Sequence, residues 1–389
     1  MILYEFEGKE LLSSYGINTP KGEVLRKAQT PRLKTPLILK AQTLSGKRAE
    51  AGSIKKVEKE EDFKTSLKTL LGKKINKEEV TTVLAEEIVD HDEEYYVSLS
   101  YDTASRGPVL TLAARGGTDV EKRESLSFPV SPLADTPPKI KAPAGFEKED
   151  FETFTSEVFP KLLKLFFDED LTLLEINPLV FDKDGKHFAL DAKVKIDDSA
   201  LARHPAWDFP PRSVAGHTPT KREVAAKKID EGDHRGTAGS AYFDLEGDIA
   251  VLASGGGASL TAMDALIAAG GKPANYTEYS GNPPKEKVEK LTKIVLSKEG
   301  INGLWVVGAV DNFTDIYETL LGFIEALRKV EPKPKLPIVI RRGGPRDKEA
   351  FEMLRKVKDF DLHLYGEEIS IAKSAEIMTK LAKKYATST

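Results

Sequence analysis

The second half of the sequence alternates between short apolar segments and longer amphipathic ones, and this alternation constrains the fold more than any other feature. The apolar segments predict five β-strands, at residues 249–254, 274–279, 303–310, 336–342 and 360–365. The amphipathic segments predict five helices, at residues 258–269, 284–297, 314–330, 346–356 and 370–384. Strand–helix units joined by short loops predict a doubly wound parallel sheet, which binds ligands at the carboxyl ends of its strands.

The first half of the chain mixes helices and strands without this regular alternation. Helical periodicity covers residues 5–15, 62–71 and 151–167, and strand segments cover residues 36–41, 83–89, 95–100 and 109–113. Runs of this kind that end in antiparallel hairpins predict an α+β domain. Because 389 residues exceed one ordinary core, we expect two domains, residues 1–240 and 241–389. A linker rich in Pro and Gly is expected from about residue 208.

A polar hairpin lies in the middle of the chain. Glu175 and Asn177 interrupt one apolar strand segment, Asp191 follows a second, and the Asp184-Gly185 step between them is a hairpin-turn signal. Folding the hairpin brings the Asn oxygen close to the Asp carboxylate. Such oxygen ligands suit Mg²⁺, which takes its other ligands from water and substrate phosphates. The hairpin therefore predicts a Mg²⁺–nucleotide site, and a purely structural hairpin with solvated charges is the alternative.

Four charged residues lie at or near strand ends in the first half. Lys40 ends an apolar strand and Arg48 follows it, so that two cations can hold nucleotide phosphates. Glu87 and Glu94 lie at further strand ends, where a carboxylate can accept a hydrogen bond from a ribose hydroxyl. Each of the four is also explained as a solvated surface charge.

Polar loops follow the predicted strands of the second half. A glycine-rich segment, residues 255–259, opens a helix whose free amides attract anions, although a tight turn also explains its glycines. The loops at residues 279–281, 312–314 and 341–344 add neutral donors and an arginine at the same sheet edge. Together these groups suit a small polycarboxylate, while Thr314 has helix capping as an alternative role.

Composition excludes several classes of protein. The net charge of −4 argues against a nucleic-acid binder, and the absence of Cys excludes disulfides, thiolate catalysis and Cys-based metal sites. No apolar run reaches membrane-spanning length, and the first residues lack a signal sequence, so we expect a cytoplasmic protein without a membrane partner. None of the six His residues has a catalytic setting; His217 comes nearest, within the linker.

These residues together resemble a known family. The hairpin with Asp191, Lys40, Arg48 and the glycine-rich helix start is similar to the β subunits of succinyl-CoA synthetases. Other segments are more similar to the small, nucleotide- and citrate-binding subunit of ATP-citrate lyases. These segments are residues 91–97, 204–209, 254–259, 275–281, 312–314 and 341–345.

The resemblance implies an α/β fold in which an ATP-grasp domain precedes a flavodoxin- or Rossmann-like domain of the CoA-ligase type. It also implies ATP and Mg²⁺ as cofactors and a hetero-oligomer with a large, α-type subunit that carries a phosphohistidine and the CoA site. ATP would phosphorylate that histidine, the phosphoryl group would pass to citrate, and CoA would then give citryl-CoA.

The resemblance further implies residue roles. Glu175 would orient the incoming phosphohistidine, and Asn177 and Asp191 would bind Mg²⁺. Lys40 and Arg48 would hold phosphates, with Glu87 at the adenine and Glu94 on the ribose. The residues implied around citrate are Gly257, Ala258, Ser259, Gly281, Asn312, Thr314 and Arg342.

Two positions differ from the family pattern. The loop at residues 47–52 carries Ala and Glu where the family has glycines, and Asp311 replaces the usual Ala. A carboxylate at residue 311 would repel citrate unless it points away or is paired. The rival interpretations are the β subunit of a succinyl-CoA synthetase or another acyl-CoA ligase and, from another class, a non-catalytic nucleotide-sensing subunit.

Overall fold

The computed structural model describes residues 1–26, 31–44, 52–75, 78–117, 123–131, 138–210, 212 and 219–388. The chain forms two compact units, Met1–Thr218 and Pro219–Thr389. Residues 219–240 therefore lie with the second unit, whereas the sequence analysis assigned them to the first domain and its linker.

The first unit contains twelve strands among its described residues. They are β1 (Gly22–Leu25), β2 (Leu37–Ala41), β3 (Ile54–Val57), β4 (Lys74–Ile75), β5 (Glu78–Glu79), β6 (Val83–Glu87), β7 (Tyr95–Asp102), β8 (Gly107–Ala113), β9 (Leu126–Pro129), β10 (Leu171–Phe181), β11 (His187–Ala189) and β12 (Ala192–Ile196). Two antiparallel sheets follow the orders β1-β6-β2-β3 and β11-β10-β7-β8-β9, and β12 also pairs with β10. The four predicted strands of this half are confirmed, with bounds shifted by at most two residues.

Amphipathic helices cover these sheets. The helices are α1 (Glu5–Ser14), α2 (Glu60–Leu70), α3 (Lys148–Thr153) and α4 (Phe159–Asp168), and a π-helical turn (Phe154–Val158) joins the last two. Phe63, Leu67 and Leu70 of α2 are buried in the core formed with the first sheet, as their shared helical face predicts.

The second unit contains a five-stranded parallel sheet. The strands of the unit, including two outside this sheet, are β13 (Phe243–Asp244), β14 (Ile249–Ser254), β15 (Asn275–Tyr276), β16 (Glu278–Tyr279), β17 (Gly303–Val310), β18 (Ile338–Gly343) and β19 (Leu362–Tyr365). The sheet order β16-β14-β17-β18-β19 confirms the flavodoxin-like doubly wound fold. The predicted strand at residues 274–279 is divided, because β15 leaves the sheet and pairs antiparallel with β13.

Helices pack on both faces of this sheet. They are α5 (Lys221–Lys227), α6 (Gly256–Ala268), α7 (Lys285–Leu296), α8 (Ile316–Lys329), α9 (Asp347–Arg355) and α10 (Ile371–Ala386). Val251 and Trp305 pack in one core with residues of α6 and α10. Leu252 and Val306 point the other way and pack with residues of α7, α8 and α9. Alternation of side chains along each strand thus divides the core into two layers.

Part of the predicted linker is ordered. The carboxylate of Asp230, just after α5, accepts hydrogen bonds from the backbone N–H groups of Ala238, Gly239 and Ser240. The buried ammonium of Lys287 donates to the same carboxylate at 3.1 Å. These contacts attach residues 230–240 to α7, so this part of the chain is not a free connection.

None of the helices in the described ranges is long and apolar enough to cross a membrane.

Two leucines on α6 provide a matched test of the second core. Leu266 is 0% exposed and Leu260 is 60% exposed. We expect Leu266→Ala to lower the free energy of unfolding by about 2–5 kcal/mol because it leaves a cavity. Leu260→Ala should change it by no more than about 0.5 kcal/mol. Urea unfolding of both variants measures the difference, and equal effects would contradict the packing of α6.

Candidate functional site

The predicted hairpin is present and places its polar residues side by side. Strands β10 and β11 pair antiparallel, and the turn is closed by Asp182, whose carboxylate accepts from the N–H groups of Asp184 and Lys186. The backbone N–H of Asn177 donates to the carbonyl of Asp191 at 3.2 Å. The two expected metal ligands are therefore neighbours across adjacent chain segments.

The side chain of Asn177 holds a glycine loop. Its Oδ1 accepts from the Gly117 N–H at 2.5 Å, and its Nδ2 donates to the Gly117 carbonyl at 3.1 Å. Gly117 has a φ of +88°, and a Cβ on Gly116 would stand 2.9 Å from the carbonyl oxygen of Tyr95. Two glycines are thus required where the chain passes close to Asn177. The backbone carbonyl of Glu94 accepts from the Gly116 N–H, which brings Glu94 to the same place.

Lys40 lies in a buried cluster of charges. Its Nζ is 2.9 Å from Oε1 of Glu5 and 2.8 Å from Oε2 of Glu86, and it also donates to the carbonyl of Leu190. Lys9 contacts the same two carboxylates, at 3.0 Å and 2.5 Å, and the same carbonyl at 2.7 Å. Lys40 thus donates hydrogen bonds to Glu5 and to the Leu190 carbonyl and forms an ion pair with Glu86.

The cluster also places a cation beside the expected metal ligand. Burial alone would lower the pKa of Lys40, but three nearby carboxylates hold that pKa above its ordinary value. They belong to Glu5, Glu86 and Asp191. For Lys9 the effect of burial prevails and the pKa is lowered. Lys40 is therefore a permanent cation, and its field reaches Asp191.

The other residues that the sequence predicts for the nucleotide site do not all lie beside Asn177. Glu175 is half-buried on β10, two residues before Asn177, and pairs with Lys193 of β12. Glu87 is exposed at the end of β6 and pairs with Leu37, the far end of β2 from Lys40. Arg48 lies outside the described residues. The structure thus brings Lys40, Glu94, Asn177 and Asp191 toward one place and leaves Glu87 apart.

The oxygen ligands of this place fit Mg²⁺. In the part of the chain that the structure describes, no three His, Cys, Asp or Glu residues are grouped as a metal site. Mg²⁺ does not need such a group, because one or two protein oxygens with water and substrate phosphates complete its shell. Asp191 offers a carboxylate, and the amide oxygen of Asn177 keeps a second lone pair beside its bond to Gly117.

In the second unit the parallel sheet reverses its order of connection between β14 and β17, where such folds bind ligands. Helix α6 begins there, and a Cβ on Gly257 would meet no atom within 4 Å. The side chain of Ser259 instead faces inward, since its hydroxyl contacts the Gly256 carbonyl at 2.7 Å and the Tyr276 hydroxyl at 2.8 Å. The open group at this helix start is therefore the backbone near Gly257 and Ala258.

A carboxylate that the sequence analysis did not single out stands beside this helix start. A Cβ on Gly256 would lie 3.3 Å from Oε2 of Glu278, so this carboxylate closely approaches the helix start. A negative group near a helix amino terminus is favoured by the helix dipole. Glu278 follows Asn275 and Tyr276 in the sequence, but nothing in that spacing marks it as facing α6.

Arg342 is the central cation of the second unit. Its side chain is 0% exposed, Nη2 is 2.6 Å from Oδ2 of Asp311, and its guanidinium carbon is 5.6 Å from the Tyr279 ring centre. Among the described residues, Nε and Nη1 have no hydrogen-bond partner. A Cβ on Gly308 would stand only 1.8 Å from Nη1. The guanidinium is thus held against β17 with part of its donor set unused.

The expected neutral donors lie on the loops around this arginine. Asn312 is exposed and Thr314 is buried on the loop between β17 and α8. Asn282, next to Gly281, accepts through Oδ1 from the Asp315 N–H at 2.9 Å, which ties this loop to the loop after β16. The structure therefore groups Gly281, Asn312 and Thr314.

Thr314 does not cap α8. The N-cap residue is Asp315, whose carboxylate accepts from the Glu318 N–H. The capping alternative for Thr314 is therefore wrong, and its side chain needs another explanation.

Comparison with known families assigns separate family models to the two structural units. Residues 2–181 match the family model of the ATP-grasp domain. Residues 219–380 match the family model described as ATP citrate lyase citrate-binding. An ATP-grasp domain implies ATP binding.

Curated relatives match along nearly the whole chain. The β subunit of ADP-forming succinate–CoA ligase from Desulfurococcus amylolyticus is 33% identical over 369 residues, covering 91% of this chain and 93% of the relative. The corresponding subunit from Pseudomonas aeruginosa is 32% identical, covering 88% and 90%.

Solved structures show the same fold. ATP citrate lyase from Methanothrix soehngenii, in complex with citrate and coenzyme A, has a TM-score of 0.79 and 24% identity, and the match covers 97% of this chain and 99% of that chain. The protein is thus an enzyme of the ATP-grasp ligase type. It belongs to the family of succinate–CoA ligase β subunits.

Proposed function

We propose that this chain is the nucleotide- and citrate-binding subunit of an ATP-citrate lyase or citryl-CoA synthetase. The observation that carries the proposal is the buried guanidinium of Arg342, which keeps unused donors at the switch point of a domain that matches the citrate-binding family model. A buried donor without a partner is costly, so this arginine is suited to receive a carboxylate from a ligand.

On the nucleotide side, Asp191 and Asn177 would hold Mg²⁺, which would neutralise charge on the transferred phosphoryl group. Phosphoryl transfer depends mainly on positioning and charge neutralisation. Asn177 fixes the loop of Gly116 and Gly117 through two hydrogen bonds, so the metal site and that loop keep one geometry. Lys40 would hold an ammonium group near Asp191, and Glu94 and Glu87 would contact the nucleoside.

On the citrate side, Arg342 would bind a carboxylate, with Asn312 and Thr314 as neutral donors. The backbone near Gly257 and Ala258 would hold a second carboxylate at the start of α6. The phosphoryl acceptor would be a histidine of a large partner subunit, which would also bind CoA, and Glu175 would orient it. The curated relatives are themselves named as subunits, which supports a hetero-oligomer.

The second candidate is the β subunit of a succinate–CoA ligase. Two observations favour it: the curated relatives carry that name, and Asp311 already neutralises the charge of Arg342. A neutral pair attracts a tricarboxylate less than a free cation does. Calorimetric titration with citrate and with succinate distinguishes the two candidates.

Asp191→Asn tests the metal assignment. We expect the affinity for Mg²⁺–ATP to fall by at least about 10-fold, because a charged metal ligand becomes neutral. The matched control is Asp184→Asn in the exposed turn of the same hairpin, which should bind like the unmodified protein. Calorimetry with Mg²⁺–ATP measures both, and unchanged affinity in Asp191→Asn would exclude this residue as a ligand.

Arg342→Met tests the substrate assignment. We expect citrate affinity to fall by roughly 30- to 150-fold, equivalent to about 2–3 kcal/mol for a charge-assisted hydrogen-bond pair. ATP affinity should not change, and Arg355→Met, which removes an exposed arginine from α9, should leave both affinities unchanged. A parallel loss for citrate and ATP, with a lower melting temperature, would mean that Arg342 has only a structural role.

A phosphorylation assay tests the two-subunit interpretation. We expect no acid-labile phosphate on this chain alone after incubation with labelled ATP, Mg²⁺ and citrate, because the acceptor would belong to the partner subunit. Gel autoradiography after acid and alkaline treatment measures retained label. Acid-labile label on this chain would overturn the proposal of an acceptor in trans.

A further inference from the structure

Asp311 is the solvent-facing member of the buried ion pair. Its side chain is 16% exposed, whereas that of Arg342 is 0% exposed, and one oxygen, Oδ2, contacts Nη2 at 2.6 Å. An anion that approaches Arg342 from solvent therefore meets a carboxylate close to its target. The pair as a whole has no net charge.

The backbone holds Asp311 in this position. Its N–H donates to the Gly343 carbonyl at 3.0 Å, and a Cβ on Gly344 would stand 2.6 Å from the Asp311 carbonyl oxygen. Gly344 has a φ of +132°, a conformation that favours glycine. The loop after β17 and the end of β18 are thus closely packed. The main chain of Asp311 cannot move far without disturbing both segments.

Arg342 is only partly satisfied by this contact. A guanidinium has five N–H donors, and within the described residues Nε and Nη1 lack acceptors. Buried polar groups normally have hydrogen-bond partners, so these donors of Arg342 are available to a further acceptor. A substrate carboxylate that accepted from either donor would share the guanidinium with the Asp311 carboxylate, and two like charges in a partly buried site repel each other.

Resting on the proposed function of the second unit, we propose that Asp311 is a specificity-determining residue that competes with the substrate carboxylate for Arg342. By this competition it limits the number of negative charges that the site accepts. A tricarboxylate such as citrate experiences more repulsion than a dicarboxylate such as succinate. The carboxylate of Asp311 therefore reduces the preference for citrate that Arg342 alone would give.

Asp311→Asn tests this inference, because it keeps the size and the acceptor oxygen while removing the charge. We expect citrate affinity to rise by roughly 10- to 100-fold and succinate affinity to rise less, from the size of like-charge repulsion at such distances. Asp311→Ala should act in the same direction. Glu349→Gln, which removes an equal charge from an exposed side chain of α9, should change neither affinity.

Calorimetry with citrate and with succinate, supported by melting temperatures, separates the outcomes. Equal or weaker citrate binding by folded Asp311→Asn, together with loss of citrate binding in Arg342→Met, would overturn the inference and leave the proposed function intact. Asp311 would then only position the arginine. If neither acid binds to any form of the protein, including the unmodified chain, the proposed function fails and the inference fails with it.

Discussion

The buried cation is the constraint on which both units depend, because an unpaired charge inside a protein costs several kcal/mol. In the first unit two carboxylates and the carbonyl of Leu190 surround the ammonium group of Lys40. In the second unit Arg342 meets it only in part, through a single contact with Asp311. A cation surrounded by protein oxygens has little capacity to bind a ligand, whereas a cation with unused hydrogen-bond donors can still bind an anion. Each unit thus buries a cation, but the two cations differ in how far protein oxygens surround them.

The parallel sheet determines where the second cation can act. Strand β18 turns Arg342 toward the layer of α7, α8 and α9, and its neighbour Arg341 lies on the other side, where it donates to the Ile369 carbonyl. The loops after β14 and β17 leave neighbouring strands at the switch point, where a bound anion would contact both backbone donors and the arginine. Under the proposed role of Asp311, its charge would disfavour citrate relative to succinate, because citrate carries one more carboxylate.

Regular periodicity made the fold predictable, and contacts between distant segments limited the prediction of the site. The strands β14 and β17 have the predicted bounds, and the hairpin around Asp191 is confirmed. The buried partners of Lys40 were missed, although Glu5 and Lys9 lie four residues apart on one helix, a spacing that permits a pair. The sequence indicated that Asp311 must point away or be paired, and the structure identifies Arg342 as its partner. Contacts between distant segments determine which lone pair or donor remains unused. A local sequence pattern therefore does not reveal it.

Gly308 shows how a residue without a functional group can determine a binding site. Its missing side chain is the space in which Nη1 of Arg342 lies, and a Cβ there would stand 1.8 Å from that nitrogen. Any mutation at residue 308 would therefore displace the guanidinium of Arg342. Every residue proposed to bind the ligand would still be unchanged in sequence. During divergence, a lineage could lose anion recognition through this one position and still retain the full signature of polar residues. A relative that keeps the polar residues but not the glycine at residue 308 is therefore weaker support for a substrate assignment than one that keeps both.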